Sequence, residues 1–535
     1  MMNRATLLYV LIISLSGYTS ACLADERATD TNMHYQQHCA SCHGDDRLGG
    51  IGPALLPDNL KRLRKNKAEK VIADGRVATQ MPAFKDKLDE DEIDSLVALI
   101  YTPPDVIPQW GERQIVASHV IHHAELTRGD ATSVKPVYDA DPLNLFLVVE
   151  SGDHHVSVLD GDTMEPIHRF RSRFALHGGP KYSSDGRFVY FASRDGWISK
   201  FDMYRLEVVA EVRAGINTRN AAVSADDRYV MVGNYLPHSL VILDATDLSL
   251  IRIIDVQDDH GNSSRVSAVY TAPPRNSFIV ALKDLKQVWE INYSDDPPKV
   301  FRGYVHDYKM GEGLAEEGRF PVRVIDTDDY LDDFFFDQSY EHLIGASRGG
   351  RENNNKDNKS SGQVINLFVG RKIADIELPG MPHLGSGITW KYKDTTVLAS
   401  PNLSTGEVTI IDMKDWTTIK KIATKGPGFF MRSHENSPYA WVDVFTGPDK
   451  DVMHVIDKDK LEIVETLRPV PGKTSGHIEF NRDGSRALLS IWEDDGEVIV
   501  YDSRSLDIVK RLPMRRPVGK YNVYNKINRS EGTSH

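Results

Sequence analysis

Two short apolar strands joined by a Ser/Asn-x-Asp turn, followed by a further strand ending in Asp, recur along this 535-residue chain. One copy runs from Ser183-Ser184-Asp185-Gly186 through Phe188–Ala192, then Trp197–Asp202. A second runs from Ser224-Ala225-Asp226-Asp227 through Tyr229–Gly233, then Ser239–Asp244. A third runs from Asn481-Arg482-Asp483-Gly484 through Ala487–Ser490, then Gly496–Asp502. Self-similarity at roughly 40–55 residues marks the blades of a propeller, because each unit can bury its apolar faces only against its neighbours. This texture begins near residue 110, and about 425 residues at that period predict an all-β, eight-bladed β-propeller. Stacked β-sandwiches are the competing architecture, and they account less well for the repeated strand-Asp endings. The asparagine-rich segment 351–362 reads as a solvated loop between two strands.

The first hundred residues carry a different signal. Cys39-Ala40-Ser41-Cys42-His43 fits covalent attachment of a c-type haem: two thiols add across the vinyl groups, and the next imidazole takes an axial position on iron. A zinc cage would need a second CxxC, which the chain lacks. Met81, followed by Pro82, lies about 40 residues on and is the expected sixth ligand. The proline holds an extended loop that can present the thioether. His34 and His38 flank the first cysteine and are the rival ligands. Glu92–Tyr101 has the apolar spacing of a helix that closes an all-α cytochrome c domain, and Pro103-Pro104 opens a linker.

Arg4 and the apolar run Leu7–Ile13 predict a Sec-type export signal over residues 1–24, with Ala24 at the cleavage point. That run is too short to span a bilayer, so no transmembrane segment is expected. Export to the periplasm suits a c-type haem. Cys22, after Ser20-Ala21, is a weaker, lipoprotein-like alternative. The expected organisation is signal 1–24, cytochrome c domain 25–104 and propeller 105–535. With 77 Asp+Glu against 64 Lys+Arg, the net charge of −13 disfavours nucleic acid as a partner.

Three further stretches carry a family resemblance: Leu176-His177-Gly178, Gly380-Met381-Pro382-His383-Leu384-Gly385 and Pro517-Val518-Gly519-Lys520-Tyr521-Asn522. Together with the cytochrome-propeller pairing, they make the chain resemble the cytochrome cd1 superfamily, whose propeller holds haem d1 over its central channel. The resemblance implies that His177 is the proximal ligand of the d1 iron, and it puts His383 at one of two distal histidines. Nitrite reductases of the superfamily carry the second distal histidine where this chain has Asp332. A carboxylate there repels nitrite unless it is protonated. It also leaves His383 free to ligate the iron, which closes the position nitrite would need. The chain is therefore most similar to the dihydro-haem d1 dehydrogenases (NirN type) of the superfamily.

That similarity implies oxidation of a propionate side chain of dihydro-haem d1 to an acrylate, with electrons passing through the d1 iron to the covalent c haem. The dehydrogenation needs a base, and His477 is the expected one because imidazole titrates near operating pH. Tyr521 is expected to orient the propionate or relay a proton. Arg173, Arg194, Arg219, Arg265 and Lys283 are expected to clamp the precursor's carboxylates. The implied partners are the dihydro-haem d1 substrate, an electron acceptor, and a nitrite reductase or d1 assembly protein that receives the product. The alternatives are a nitrite reductase, a non-catalytic d1 carrier, and an electron-transfer cytochrome whose propeller only docks partners. The c haem argues against the carrier, and His177 and His383 argue against the docking surface.

Overall fold

The computed structural model describes residues 30–50, 52–60, 63–75, 81–106, 108–127, 134–302, 314–315, 318–347, 361–378 and 380–528. The export signal over residues 1–24, Cys22 and nearly all of the asparagine-rich segment lie outside the described residues. The chain divides into two compact units, Met1–Gln109 and Trp110–His535. Among the described residues, no helix is long and apolar enough to cross a membrane.

The first unit is helical. Its closing helix, Glu90–Ile100, starts at a reciprocal cap: the Glu92 N–H donates to Asp89, and the Asp89 N–H donates to Glu92. Ile93, Leu96, Val97 and Ile100 recur at helical spacing and pack with Tyr35, Ala40, Leu60, Ile72 and Phe84. The helix Ala40–His43 thus places the CxxCH motif on that core.

The second unit is a closed propeller of eight antiparallel sheets. Blade 1 is built from Leu145–Glu150, His155–Asp160 and Pro166–Arg171, and its innermost strand, Pro517–Asn522, comes from the far end of the chain. Phe146 pairs with Asn522 and Val149 with Gly519, so the chain's last strand closes the ring. Blades 2 to 8 then follow in chain order, with inner strands beginning at Lys181, Asn217, Val266, Leu331, Ile388, Met431 and Ser475. Among the described residues, the apolar core of this unit falls into eight clusters, one at each blade–blade junction. No blade buries its faces alone, which is why the sequence had to repeat.

The recurring turn has a clear cause. Ser183 Oγ donates to Asp185 (2.6 Å) and accepts the Phe188 N–H (2.9 Å). Ser224 does the same with Asp226 (2.6 Å) and Tyr229 (2.9 Å). Each strand-ending Asp then caps the next turn: the Tyr204, Thr246 and Arg504 N–H groups donate to Asp202, Asp244 and Asp502. One stretch departs from the strand-only expectation after residue 110. Glu112–Ser118 is a helix, and Val120–Ile121 adds a fifth strand to the edge of blade 2. Trp110 anchors this segment, donating from Nε1 to Arg213 O (2.8 Å) with the Arg213 guanidinium over its ring, while Ile115 is fully buried.

Candidate haem and substrate sites

In the first unit, Cys39 and Cys42 are unbridged thiols. His43 is buried, and its Nδ1 lies 2.8 Å from Pro53 O. A carbonyl partner requires the proton on Nδ1, so Nε2 carries the lone pair. Burial holds the imidazole below its ordinary range and therefore neutral, as a ligand must be. A Cβ on Gly52 would come 2.8 Å from the His43 ring, so only glycine fits beside it. Met81 packs against the same core as Cys39. His34, the rival ligand, has Nε2 3.1 Å from Glu92 Oε1, and His38 stacks between His34 and Phe84. Two thiols, an oriented imidazole and a thioether on one core fit a covalent haem.

In the propeller, His177 ends the segment that enters the inner strand of blade 2. Its Nδ1 is 2.8 Å from Arg219 O, which directs Nε2 away from the sheet. Nε2 in turn faces Arg194 Nη2 (2.7 Å) and Arg219 Nη1 (3.1 Å). The glycines that follow serve close approach. Gly178 and Gly179 both have positive φ, and a Cβ would meet Asn220 at the first and the Tyr521 ring at the second. His383 stands on the loop entering blade 6 and uses the same device, with Nδ1 2.7 Å from Phe429 O. Burial lowers its pKa, against the opposing charge of Asp333. Two histidines, each fixed through Nδ1 by a backbone carbonyl, have the arrangement expected of iron ligands.

His477 lies on the inner strand of blade 8, Ser475–Phe480, at a register slip where its own φ is 53°. Left-handed backbone at a residue with a Cβ is strained and must be held by its surroundings. Lys520 holds it: the ammonium donates to His477 O and to Ser490 Oγ, and the Lys520 N–H approaches His477 Nδ1 at 3.3 Å. Burial drives the His477 pKa well below its ordinary value, reinforced by the charges of Lys520, Arg432 and Lys526. Its ring meets Tyr521 edge-on at 5.2 Å between centroids. Burial pushes the Tyr521 phenol up to about 12, and its hydroxyl has no hydrogen-bond partner among the described residues. Both Gly179 and Gly519 lie against the Tyr521 ring, leaving room where a Cβ would collide.

These groups form a circuit. From His383 the rings continue to Phe429 (4.3 Å), Phe430 (4.4 Å), His477 (4.7 Å) and Tyr521. Tyr521 and His177 line one crevice. On the other side, the Gly385 N–H donates to Asp333 (2.8 Å), and Asp333 lies close enough to Arg219 to raise that guanidinium's pKa, against burial. Four residues predicted from separate stretches, His177, His383, His477 and Tyr521, are therefore joined by one run of contacts.

The predicted basic clamp divides. Arg194 and Arg219 lie on His177, as described. Arg173 is a bidentate partner of Glu211 and stacks on Trp197. Arg265 grips Asp284 through two nitrogens. Lys283 pairs with Asp332 at 2.7 Å. Sequence reasoning missed a second set of basic residues, Arg432, Lys520 and Lys526, gathered around Glu479 beside Tyr521. Burial there pushes the Lys526 amine down to about 7 and that of Lys520 well below its ordinary value. It also missed the aromatic wall of Phe429, Phe430, Phe445 and Trp492. A buried basic residue on an inner strand, such as Lys520 between Gly519 and Tyr521, was the available signal.

The family model described as the cytochrome D1 heme domain matches residues 140–322 and 313–526. The model of cytochrome c oxidase, cbb3-type, subunit III matches residues 26–100. A dihydro-heme d1 dehydrogenase of Pseudomonas aeruginosa is 54% identical over 501 residues, 94% of this chain and 95% of the relative. A nitrite reductase of Stutzerimonas stutzeri is 24% identical over 558 residues, 94% of each chain. A solved structure of the dihydro-heme d1 dehydrogenase NirN in complex with DHE superposes with a TM-score of 0.84 at 53% identity, covering 92% of this chain and 98% of that one.

Proposed function

The chain belongs to the cytochrome d1 haem-domain family and, within it, to the dihydro-haem d1 dehydrogenases, and we propose on that premise how its residues oxidise a propionate side chain of dihydro-haem d1 to an acrylate. The single observation that carries the reading is the run of contacts joining His383 through Phe429 and Phe430 to His477 and Tyr521, with Tyr521 and His177 lining one crevice.

Turning –CH2–CH2–COO⁻ into –CH=CH–COO⁻ releases two protons and two electrons. His177 and His383, each held through Nδ1 by a backbone carbonyl, would offer Nε2 to the substrate's iron. Once iron takes the His177 lone pair, Arg194 and Arg219 lose their acceptor and turn to the substrate's carboxylates, which Arg forks match. Phe429 and Phe430 give the flat macrocycle an apolar wall. Tyr521, with its hydroxyl unengaged, donates to the reacting propionate.

Burial, with Lys520, Arg432 and Lys526 nearby, pushes the His477 pKa down, which favours the neutral imidazole but weakens it as a base. The expected titration near operating pH therefore does not hold in the resting protein. In its resting tautomer, Nδ1 accepts from the Lys520 N–H, which leaves the proton on Nε2. Base action at Nε2 therefore requires that proton to move to Nδ1, releasing a contact that is already long at 3.3 Å. When bound, the covalent c haem supplies a one-electron acceptor within the same chain. We place the two electrons on that path in succession, and from there to an external acceptor. The reaction belongs in the periplasm, following the export signal read in residues 1–24. The product then passes to a nitrite reductase or a d1 assembly protein.

The test is reconstitution of the c-haem protein with dihydro-haem d1 under oxidising conditions. The expected product is lighter by two hydrogen atoms and carries an acrylate. Release of unchanged precursor would refute the assignment.

A further inference from the structure

Asp443 ends the second strand of blade 7, Tyr439–Asp443, and is fully buried. Its Oδ1 accepts the N–H groups of Phe429 (2.7 Å) and Phe430 (3.0 Å), and its Oδ2 lies 3.4 Å from the His477 N–H. Phe429 is the residue whose carbonyl orients His383 through Nδ1. Phe430 packs on the His477 ring. One carboxylate thus holds the loop that aims the iron-binding histidine and the strained bulge that aims the histidine of the reacting end.

Burying a carboxylate is costly, and burial pushes Asp443 up to about 7 against the N–H groups of Phe429, Phe430 and His477 and the charge of Lys520. Pinning one loop would need only a neutral acceptor. The carboxylate offers two oxygens at a fixed spacing, one for each arm, and one glycine stands against Oδ2 while another stands against the residue's main-chain oxygen. A Cβ on Gly476 would lie 3.1 Å from Oδ2, and one on Gly428 would lie 2.9 Å from Asp443 O. The two arms come from different blades, so without such a tie their spacing would depend only on side-chain packing.

We propose that Asp443 is a positioning residue that sets His383 and His477 in a common register, matching their spacing to the separation of iron and reacting propionate that the substrate's own ring fixes. The proposal rests on the reading of His383 as an iron ligand and His477 as the group acting on the propionate. Misplacing a reacting group by about 1 Å can slow a reaction about 100-fold.

Asp443→Asn keeps one carbonyl oxygen as acceptor and turns the other contact into a clash of donors. In holoprotein loaded with dihydro-haem d1, two changes are expected together: an altered low-spin d1 spectrum, and conversion slowed by about tenfold or more, with precursor affinity close to the parent's. A parent-like spectrum or parent-like conversion in the loaded variant overturns the joint role. His383→Ala and His477→Ala, run in parallel, separate the two failures. If neither perturbs the spectrum or the conversion, the underlying site reading has failed. If both act and Asp443→Asn does not, only the register role has. Should Asp443→Asn not accumulate in folded form, hydrogen exchange in the loaded parent decides. The Phe429, Phe430 and His477 amides should then exchange in one cooperative step, and independent exchange of the His477 amide overturns the proposal.

Discussion

His477 carries the sharpest residue-level question, because its geometry permits two roles. A donor holds the propionate through Nε2–H, whereas a base removes a proton from carbon. Glutamine can imitate the donor but not the base, so His477→Gln separates them. If His477 is the base, both His477→Ala and His477→Gln should bind precursor and convert it about 10²–10⁴-fold more slowly. Conversion by His477→Gln at near the parent rate would reduce it to a donor. Met81 poses a simpler case. The thioether stabilises the reduced iron, so Met81→Ala should lower the c-haem potential and change its spectrum. An unchanged potential would return the sixth position to His38 or His34, although the His34 Nε2 is already 3.1 Å from Glu92.

Among the elements, the strand Pro517–Asn522 does two jobs. It is the inner strand of blade 1, and it carries Lys520 and Tyr521 into the site. A chain ending at Arg516 would leave Leu145–Glu150 unpaired on its inner side and uncover the cluster around Phe146 and Val148. Such a truncation should lose the single cooperative thermal transition and bind no precursor. Retention of both would show that closure is dispensable. The elements also explain what the sequence could reveal. The turn motif was readable because three blades repeat it locally, at Ser183 and Asp185, Ser224 and Asp226, and Asn481 and Asp483. The histidines at 177 and 383 were readable through the family resemblance of the stretches that carry them, which a histidine beside a glycine does not supply alone. Asp443 was not, because its partners Phe429, Phe430 and His477 lie up to 34 positions away and meet it only when two blades pack. The clamp was read from arginines in family-matching stretches, and that reading could not see that Glu211 and Asp284 lie beside Arg173 and Arg265. The helix Glu112–Ser118 was hidden for a similar reason, since its stability comes from burying Ile115 against blade 2.

At the scale of the whole molecule, an eight-bladed ring brings groups from distant parts of the chain to one axis, and its chemistry follows from which groups those are. Asp332 is tied to Lys283 at 2.7 Å, and His383 is aimed by Phe429. Under the proposed ligation, His383 fills the position nitrite would need, and Asp332 stands where a second distal imidazole would be. The protein loaded with mature haem d1 should therefore reduce nitrite far more slowly than a nitrite reductase of the same superfamily, measured as NO formed from a reduced donor. Comparable turnover would mean that His383 does not hold the iron.

The central claim is that one chain both dehydrogenates the propionate and receives the electrons. Its most direct measurement is a single turnover of dihydro-haem d1 by the oxidised holoprotein, with acrylate formation and c-haem reduction followed together. The account predicts two electrons passing through the c haem for each acrylate, the first reducing it and the second following once an added one-electron acceptor has reoxidised it. Both signals should fall together in His477→Ala. Acrylate forming while the c haem stays oxidised, in the absence of any external acceptor, would contradict it.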